Sequence, residues 1–394
     1  MPSHKAVIAG IGESDVGVVP DRTSISLCAD AVAAALADAG LTLRNVDGLL
    51  CAAPLFRPSP RYHMVLAESL GLFTKTLCDS LSMGGASPCA ALRLASWAVE
   101  SGQCQTVVVV AGDTLRSGVD PDGTAAYASM GAHSLDYEFP YGAHIPAFYA
   151  LLAQRYLHEY GLDDTVFDPV SVAMRRHAVL NPRAQMRTPI TLDDVRASTM
   201  VSSPLRKLHC SLVSDGAAAY VVTRQGASRD AAREVAMLGL GQAHSTYHMG
   251  HLVRGDASHD LVRTVCDVAG RQAFGEAGLS PEDIDVAQIY DSFAITLMVQ
   301  LEDLGFCGRG EAAGFVADGG IELGGRLPLN THGGLLSCAH PGVPGGMLHL
   351  NEGVRQVRGE AEDRQVEGAR TALVTSASAV ASNYSVAILA AANR

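Results

Sequence analysis

Short apolar runs alternate with amphipathic segments along the chain, a pattern typical of an α/β protein. Residues 6–12 predict a buried strand, and the polar segment after them leads into a predicted helix at 25–39 that ends at Gly40. An apolar run at 46–51 predicts the next short strand. Near the other end of the chain, residues 347–357 carry apolar side chains at a helical spacing and predict a helix with one buried face.

This order of elements occurs twice. A strand at 235–241, a helix ending at Gly278 and a strand at 284–290 repeat the first three elements, and the residues around the second helix end lie 238 positions after their counterparts. Each half then continues to a further apolar strand, which begins at Thr106 or at Thr371. The sequence therefore predicts an internal duplication of a strand–helix–strand unit.

The two predicted halves are residues 1–228 and 229–394, because the pattern loses its periodicity just before that boundary. The first half includes an insertion at about 115–205 that is rich in tyrosine, histidine and polar residues and contains His144. Inserted loops on a rigid scaffold commonly carry substrate contacts, so His144 is a candidate pocket residue. A purely structural role, in which the insertion covers the dimer side of the protein, is an equally good interpretation.

A segment rich in glycine and proline at 330–346 is the strongest candidate site. Glycines let the backbone approach a ligand closely, while Asn330 and His340 supply donors, acceptors and a proton carrier. A second candidate lies at the end of a strand of the second half, where Tyr290 can exchange a proton and Asp291 can orient a neighbour. Buried, satisfied core residues would give the same pattern at either place.

A turn of small residues at 79–89 precedes a predicted helix at 90–100. Backbone N–H groups at a helix N-terminus favour an anion or an oxyanion. Cys89 is a candidate nucleophile at the end of this turn. A helix that starts near Ser87 would instead point Cys89 into the core, where lone cysteines commonly lie.

Composition narrows the classes of function. The chain has 394 residues with 48% hydrophobic content, enough for a large core, and its net charge of −12 argues against nucleic acid or an anionic membrane as the main partner. The sequence contains neither an apolar run of 18 residues nor a secretory start, so we expect a cytoplasmic protein. Nine cysteines without a CxxC pair predict neither a metal site nor a disulfide framework.

Five segments together resemble the thiolase superfamily over nearly the whole chain. They are the glycine turn before the helix at 90–100, Leu208-His-Cys-Ser-Leu-Val-Ser-Asp-Gly-Ala, Tyr290-Asp-Ser-Phe, Asn330-Thr-His-Gly-Gly and His340-Pro. The chain is most similar to sterol-carrier-protein-type thiolases and to the lipid-transfer-protein-like aldolases of steroid side-chain degradation. The resemblance implies a duplicated α/β fold in a five-layered α-β-α-β-α sandwich, a homodimer, and coenzyme A thioesters as substrates. It also implies a small partner protein built from a zinc ribbon and an OB-fold.

The chain departs from active thiolases at both cysteines of that family. Gly85 stands at the position of the nucleophilic cysteine, Cys89 lies one helical turn beyond it, and Ser376 stands near the position of the second cysteine. Without either thiol, a covalent acyl-enzyme route loses its nucleophile. The related aldolases have two tyrosines that look like an acid–base pair. Tyr290 matches the first of them, whereas His340 matches the histidine of true thiolases.

The leading hypothesis is retro-aldol cleavage of a β-hydroxyacyl-CoA without a covalent acyl-enzyme and without a bound cofactor. Tyr290 would be the base at the β-hydroxyl group, and His340 would donate to the enolate oxygen or carry the proton. Backbone N–H groups at Gly85 and Ala86 would supply part of the polar environment that surrounds the cysteine in active thiolases. Asn330 would hold the thioester oxygen or a water.

Two alternatives stay open at this point. One is a thiolase or acyltransferase that uses Cys89 or Cys338 as an unusual nucleophile, the latter two residues before His340. The other is a subunit that binds acyl-CoA without turning it over. The sequence fixes neither the acyl group nor the direction of the reaction.

Overall fold

The computed structural model describes residues 5–56, 59–73, 75–118, 136, 138, 140, 144–246 and 260–392. Its strands are β1 (Ala6–Glu13), β2 (Gly48–Ala52), β3 (Leu77–Leu81), β4 (Thr106–Thr114), β5 (Met200–Ser202), β6 (Leu205–Arg206), β7 (Asp215–Arg224), β8 (Val235–His244), β9 (Val286–Gln288), β10 (Thr371–Ser378) and β11 (Asn383–Ala391). Its α-helices are α1 (Ser24–Ala39), α2 (Tyr62–Ser69), α3 (Ser87–Glu100), α4 (Ile145–Tyr160), α5 (Asp168–Val179), α6 (Leu192–Ala197), α7 (Cys266–Ala277), α8 (Ala294–Asp303), α9 (Ala312–Ala317) and α10 (Pro344–Arg358).

The strands of both halves join into one sheet in the order β3-β2-β4-β7-β1-β8-β11-β10-β9, while β5 and β6 pair separately. The halves meet where β1 pairs with β8, through Val7 with Ala236 and Ile8 with Val235. Outward from this junction the order is β1-β7-β4-β2 in the first half and β8-β11-β10-β9 in the second. The strands that begin at Thr106 and Thr371 therefore occupy equivalent places, as the repeated pattern predicts.

Five layers follow from the helix contacts. Helices α3 and α10 pack against each other and against strands of both halves, so they form a central layer. Helix α1 covers β1, β4 and β7 on one outer face, and α7 covers β8 and β11 on the other. This arrangement confirms the predicted five-layered α-β-α-β-α sandwich of a duplicated α/β fold.

Both outer helices lie unusually close to the strands beneath them. A Cβ atom on Gly10 of β1 would lie 2.2 Å from the Ala35 carbonyl oxygen in α1. A Cβ atom on Gly241 of β8 would lie 1.8 Å from the Ala269 carbonyl oxygen in α7. Only glycine allows this backbone approach, and the same solution in both halves agrees with the duplication.

The predicted insertion contributes α4, α5, α6 and the β5–β6 pair, while most of its residues 119–143 lie outside the described residues. The proposed boundary at 228 and 229 falls between β7 and β8, and the division into two domains stays a prediction. None of the described helices is long and apolar enough to cross a membrane. Within the same residues, His, Cys, Asp and Glu side chains form no cluster of three that could hold a metal ion.

Candidate active site

Tyr290 and His340 meet at the end of β9, although they lie 50 residues apart in the chain. The Tyr290 hydroxyl oxygen is 3.1 Å from His340 Nε2, and the two rings are nearly perpendicular, with centroids 5.9 Å apart. The backbone of Tyr290 is held on both sides, because its N–H donates to Thr375 Oγ1 at 2.9 Å and its carbonyl accepts from Gln300 Nε2 at 2.8 Å. The sheet and α8 therefore fix the orientation of Tyr290.

Both ring nitrogens of His340 lie beside a hydroxyl group. Its Nδ1 is 2.8 Å from Ser211 Oγ, and its Nε2 is 3.1 Å from the Tyr290 hydroxyl oxygen. A hydroxyl group can donate or accept, so Nε2 accepts from Tyr290 in the tautomer that carries the proton at Nδ1. Burial lowers the pKa of His340 to about 4, although the nearby Asp291 carboxylate favours the charged form. His340 is therefore neutral at pH 7.

Gly85 makes room for the Tyr290 hydroxyl group. A Cβ atom at position 85 would lie 2.4 Å from the Tyr290 hydroxyl oxygen and 2.4 Å from the Ala377 carbonyl oxygen. The phenol thus fills the space that a side chain at position 85 would need. Gly85 and Ala86 belong to a short 3₁₀ turn that leads into α3, where the Ala86 N–H donates to the Met83 carbonyl oxygen at 3.2 Å.

Asp291 links the two segments that carry Tyr290 and His340. Its fully buried carboxylate accepts the Leu335 N–H at 2.7 Å and the Leu336 N–H at 3.4 Å. Asp291 follows Tyr290 directly, and the loop at 334–338 leads into His340. The carboxylate therefore holds the loop against the end of β9, while its predicted role in catalysis stays a prediction.

Asn330 holds the loop against the chain after β9. Its side-chain carbonyl oxygen accepts the Ile289 N–H at 2.7 Å, and its Nδ2 donates to the Ile289 carbonyl oxygen at 2.8 Å. The residue is fully buried and adopts a positive φ of 48°. Its expected contact with the thioester oxygen or a water stays a prediction.

Both candidate cysteines are buried and protonated. Cys89 lies in the first turn of α3, where its Sγ accepts from Ser376 Oγ at 3.2 Å. Cys338 Sγ accepts from Asn181 Nδ2 at 3.5 Å. Burial raises the pKa of each thiol to about 12, so neither provides a thiolate at neutral pH.

His144 is the residue that precedes α4, and its Nδ1 is buried with no hydrogen-bond partner among the described residues. One turn later, Tyr149 stacks on Phe293 with the ring centroids 4.3 Å apart. Helix α4 thereby reaches the segment that carries Tyr290, while a pocket role for His144 stays a prediction. The sequence did not single out Tyr149 or Ser211, because neither lies at a diagnostic spacing.

We expect the folded state to lose stability as the pH falls from about 6.5 towards 4, partly through His340. Its folded pKa of about 4 lies below its ordinary value of 6.5, so the unfolded chain binds the proton first. The stability contribution is complete above the ordinary pKa and is lost towards the folded pKa. Urea unfolding at pH 7.5 and pH 5 should show that His340→Gln loses about 2 kcal/mol less than the wild type. Equal losses would contradict a neutral, buried His340.

Comparison with known proteins places this geometry in a family. Residues 241–391 match the model described as "Thiolase C-terminal domain-like". Over 391 residues the chain is 37% identical to the 17-hydroxy-3-oxo-4-pregnene-20-carboxyl-CoA lyase of Mycobacterium tuberculosis, covering 96% of this chain and 98% of that protein. It is also 37% identical over 361 residues to the steroid side-chain-cleaving aldolase of Thermomonospora curvata, covering 90% of each.

A solved structure named "Ltp2-ChsH2(DUF35) aldolase" is similar in fold and sequence. It has a TM-score of 0.86 and 35% identity, and the match covers 99% of this chain and 98% of that one. These matches extend over both halves and agree with the motifs in the sequence. The chain therefore belongs to the thiolase superfamily, in its branch of sterol-carrier-protein-type thiolase-like aldolases.

Proposed function

We propose that this protein cleaves the Cα–Cβ bond of a β-hydroxyacyl-CoA in a retro-aldol reaction, without a covalent acyl-enzyme. The observation that carries the proposal is the Tyr290 hydroxyl group, which fills the side-chain space at Gly85 and lies 3.1 Å from His340 Nε2. A proton-transfer pair therefore stands where a thiolase has its nucleophile. Relatives named as a lyase and an aldolase support this activity.

The proton moves through Tyr290 to His340 and back. Burial raises the pKa of Tyr290, so its hydroxyl group stays protonated and cannot act as a base alone. As Tyr290 takes the β-hydroxyl proton of the substrate, it passes its own proton to the neutral His340 Nε2. The Cα–Cβ electron pair then forms the thioester enolate, and the β-carbon becomes a carbonyl group.

The same pair completes the reaction. The His340 imidazolium returns its proton through Tyr290 to Cα of the enolate, so the net change moves one proton from the β-hydroxyl group to Cα. The Asp291 carboxylate favours the imidazolium while it exists. Because the proposed transfer needs Nε2 to accept the proton of Tyr290, we assign His340 the role of proton carrier rather than that of oxyanion donor.

We place the enolate oxygen at the Gly85 N–H, beside the start of α3. A helix N-terminus favours developing negative charge, and a buried donor stabilises an oxyanion more than water would. The Ala86 N–H already donates to the Met83 carbonyl oxygen at 3.2 Å, so Gly85 is the better of the two backbone donors.

The proposed substrate class is a steroid with a side chain that ends in a CoA thioester. The name of the Mycobacterium tuberculosis relative places a hydroxyl group at C17, which is β to its thioester carbonyl. Cleavage of such a substrate yields a ring ketone and a shortened acyl-CoA. Similarity to that protein and to the side-chain-cleaving aldolase supports this class for the present chain.

The test is incubation with a panel of β-hydroxyacyl-CoAs that includes short-chain, aryl and steroid members. We expect a ketone or aldehyde plus a shortened acyl-CoA, with the intact mass of the chain unchanged. A stable acyl adduct at Cys89 or Cys338 would instead support the thiolase or acyltransferase alternative. Tight binding without any product, with a partner protein present, would support the binding-subunit alternative.

We also propose that the protein is a homodimer that pairs through the edge of its sheet. Strand β3 is hydrogen-bonded to β2 on one side only, within the part of the chain that the structure describes. Beside it, Phe73 and Met64 are apolar side chains with 69% and 57% exposure. An unpaired strand edge next to exposed apolar side chains suits a second copy of the same strand.

The dimer predicts a native mass of twice 41.1 kDa for the chain alone. Light scattering after size-exclusion chromatography measures it, and a monomer at micromolar concentration would contradict the proposal. The solved aldolase whose name joins two components supports a further partner, for which the predicted zinc-ribbon and OB-fold protein is the candidate. Co-expression with such a protein should add its mass to the dimer peak.

A further inference from the structure

A buried imidazole outside the proton-transfer pair, that of His349, lies next to Asp291, and a second one, that of His332, lies against His349. His349 Nε2 is 3.3 Å from Asp291 Oδ1, and both side chains are fully buried. The His349 ring lies 6.1 Å from the Tyr290 ring and meets the His332 ring edge-to-face at 4.9 Å, measured between centroids. His349 is carried by α10, which begins four residues after His340. His340 and His349 are therefore carried by consecutive segments of the chain.

The contact with Asp291 defines what His349 can do. A carboxylate only accepts, so the 3.3 Å contact is favourable when His349 Nε2 carries a proton. Asp291 accepts two N–H groups from the loop at 334–338, and His349 Nε2 lies 3.3 Å from its Oδ1. Neither ring nitrogen of His349 makes a hydrogen bond to a described residue, so the close contact with the Asp291 carboxylate is the polar contact that the structure gives this imidazole.

Titratable groups from several segments surround Asp291 and His349. Tyr290, His340 and His349 face Asp291, while His332 faces His349. Farther out, the groups that act on His332 are Glu13, Arg355 and Arg364. The Asp291 carboxylate favours protonated His340, and His349 acts in the opposite direction.

We propose that His349 is a positioning residue, whose imidazole lies against the Asp291 carboxylate and so limits how strongly that carboxylate attracts the protonated His340. This inference rests on the proposed function, because the His340 imidazolium forms only when His340 carries the substrate proton. Too strong an attraction would hold the proton on His340 and slow its return to Cα. His349 therefore keeps the proton exchangeable.

Three variants separate this role from simple packing. His349→Gln keeps an N–H donor near Asp291, His349→Phe keeps the ring volume without a donor, and His332→Phe alters a buried imidazole next to the cluster. Without the donor, the carboxylate attracts the His340 imidazolium more strongly. We expect His349→Phe to move the acid limb of the pH profile of kcat/KM upward by about one pH unit. His349→Gln and His332→Phe should keep the wild-type position.

A second readout does not depend on turnover. NMR titration of ¹⁵N-labelled imidazoles in the unliganded protein should show the same upward shift for His340 in His349→Phe alone. Unchanged acid limbs and titrations in all variants, or equal shifts in His349→Phe and His349→Gln, would overturn the positioning role. If the wild type cleaves no member of the acyl-CoA panel, the proposed function fails, and the NMR titration still decides the role of His349.

Discussion

The Tyr290→Phe variant is expected to lose at least about 100-fold in kcat, because it removes the hydroxyl group that passes the substrate proton to His340. The phenyl ring keeps its place between the sheet and α8, where the Tyr290 backbone is held by Thr375 and Gln300. Folding should therefore be close to that of the wild type. Steady-state kinetics with the best substrate of the acyl-CoA panel, together with circular dichroism, measures both properties.

Tyr156→Phe is the matched control. It also removes one buried tyrosine hydroxyl group, but that group donates to Glu302, away from the Tyr290–His340 pair. We expect this variant to lose about 1.5–3 kcal/mol of stability, the contribution of a hydrogen bond to a charged group, and to keep its kcat. Wild-type turnover in Tyr290→Phe, or equal losses of kcat in both variants, would contradict the proton transfer through Tyr290.

Much of the fold follows from local patterns. The repeated strand–helix–strand unit predicted both halves, and Gly40 ends α1 with a positive φ, as the sequence indicated. Gly359 ends α10 in the same way. The continuous sheet was not predicted. Its two halves join through the pairing of β1 with β8, more than 220 residues apart. Periodicity reports which face of an element is buried and carries no information about such distant hydrogen bonds.

The site shows the same limit. Residue type and position at a strand end or in a glycine loop indicated Tyr290, Asp291 and His340. Their mutual contacts, and the Ser211 hydroxyl group that bonds to His340 Nδ1, depend on segments brought together only by the fold. Asn330 was expected to hold the thioester oxygen or a water because its amide offers donors and acceptors, and this role stays a prediction. The sequence did not indicate that the amide bonds to both backbone groups of Ile289.

Gly85 and Tyr290 form a coupled pair, and replacing Gly85 tests this coupling. A Cβ atom at position 85 would lie 2.4 Å from the Tyr290 hydroxyl oxygen and 2.4 Å from the Ala377 carbonyl oxygen. We expect Gly85→Ala to cost about 1–3 kcal/mol of stability, the usual penalty of overpacking. It should also displace the hydroxyl group from His340 and lower kcat at least about 100-fold. Chemical denaturation and steady-state kinetics measure the two effects.

A double-mutant cycle identifies which neighbour causes the stability loss. In the Tyr290→Ala background the contact with the phenol is gone and the contact with the Ala377 carbonyl oxygen remains, so the cost of Gly85→Ala should fall without vanishing. Gly275→Ala in α7, where an added Cβ meets nothing within 4 Å, should be neutral or stabilising and serves as the control. The same cost in both backgrounds would mean that Tyr290 does not fill the space at position 85. The absence of a nucleophile and the presence of the phenol would then be unrelated, and a side chain at position 85 could coexist with Tyr290.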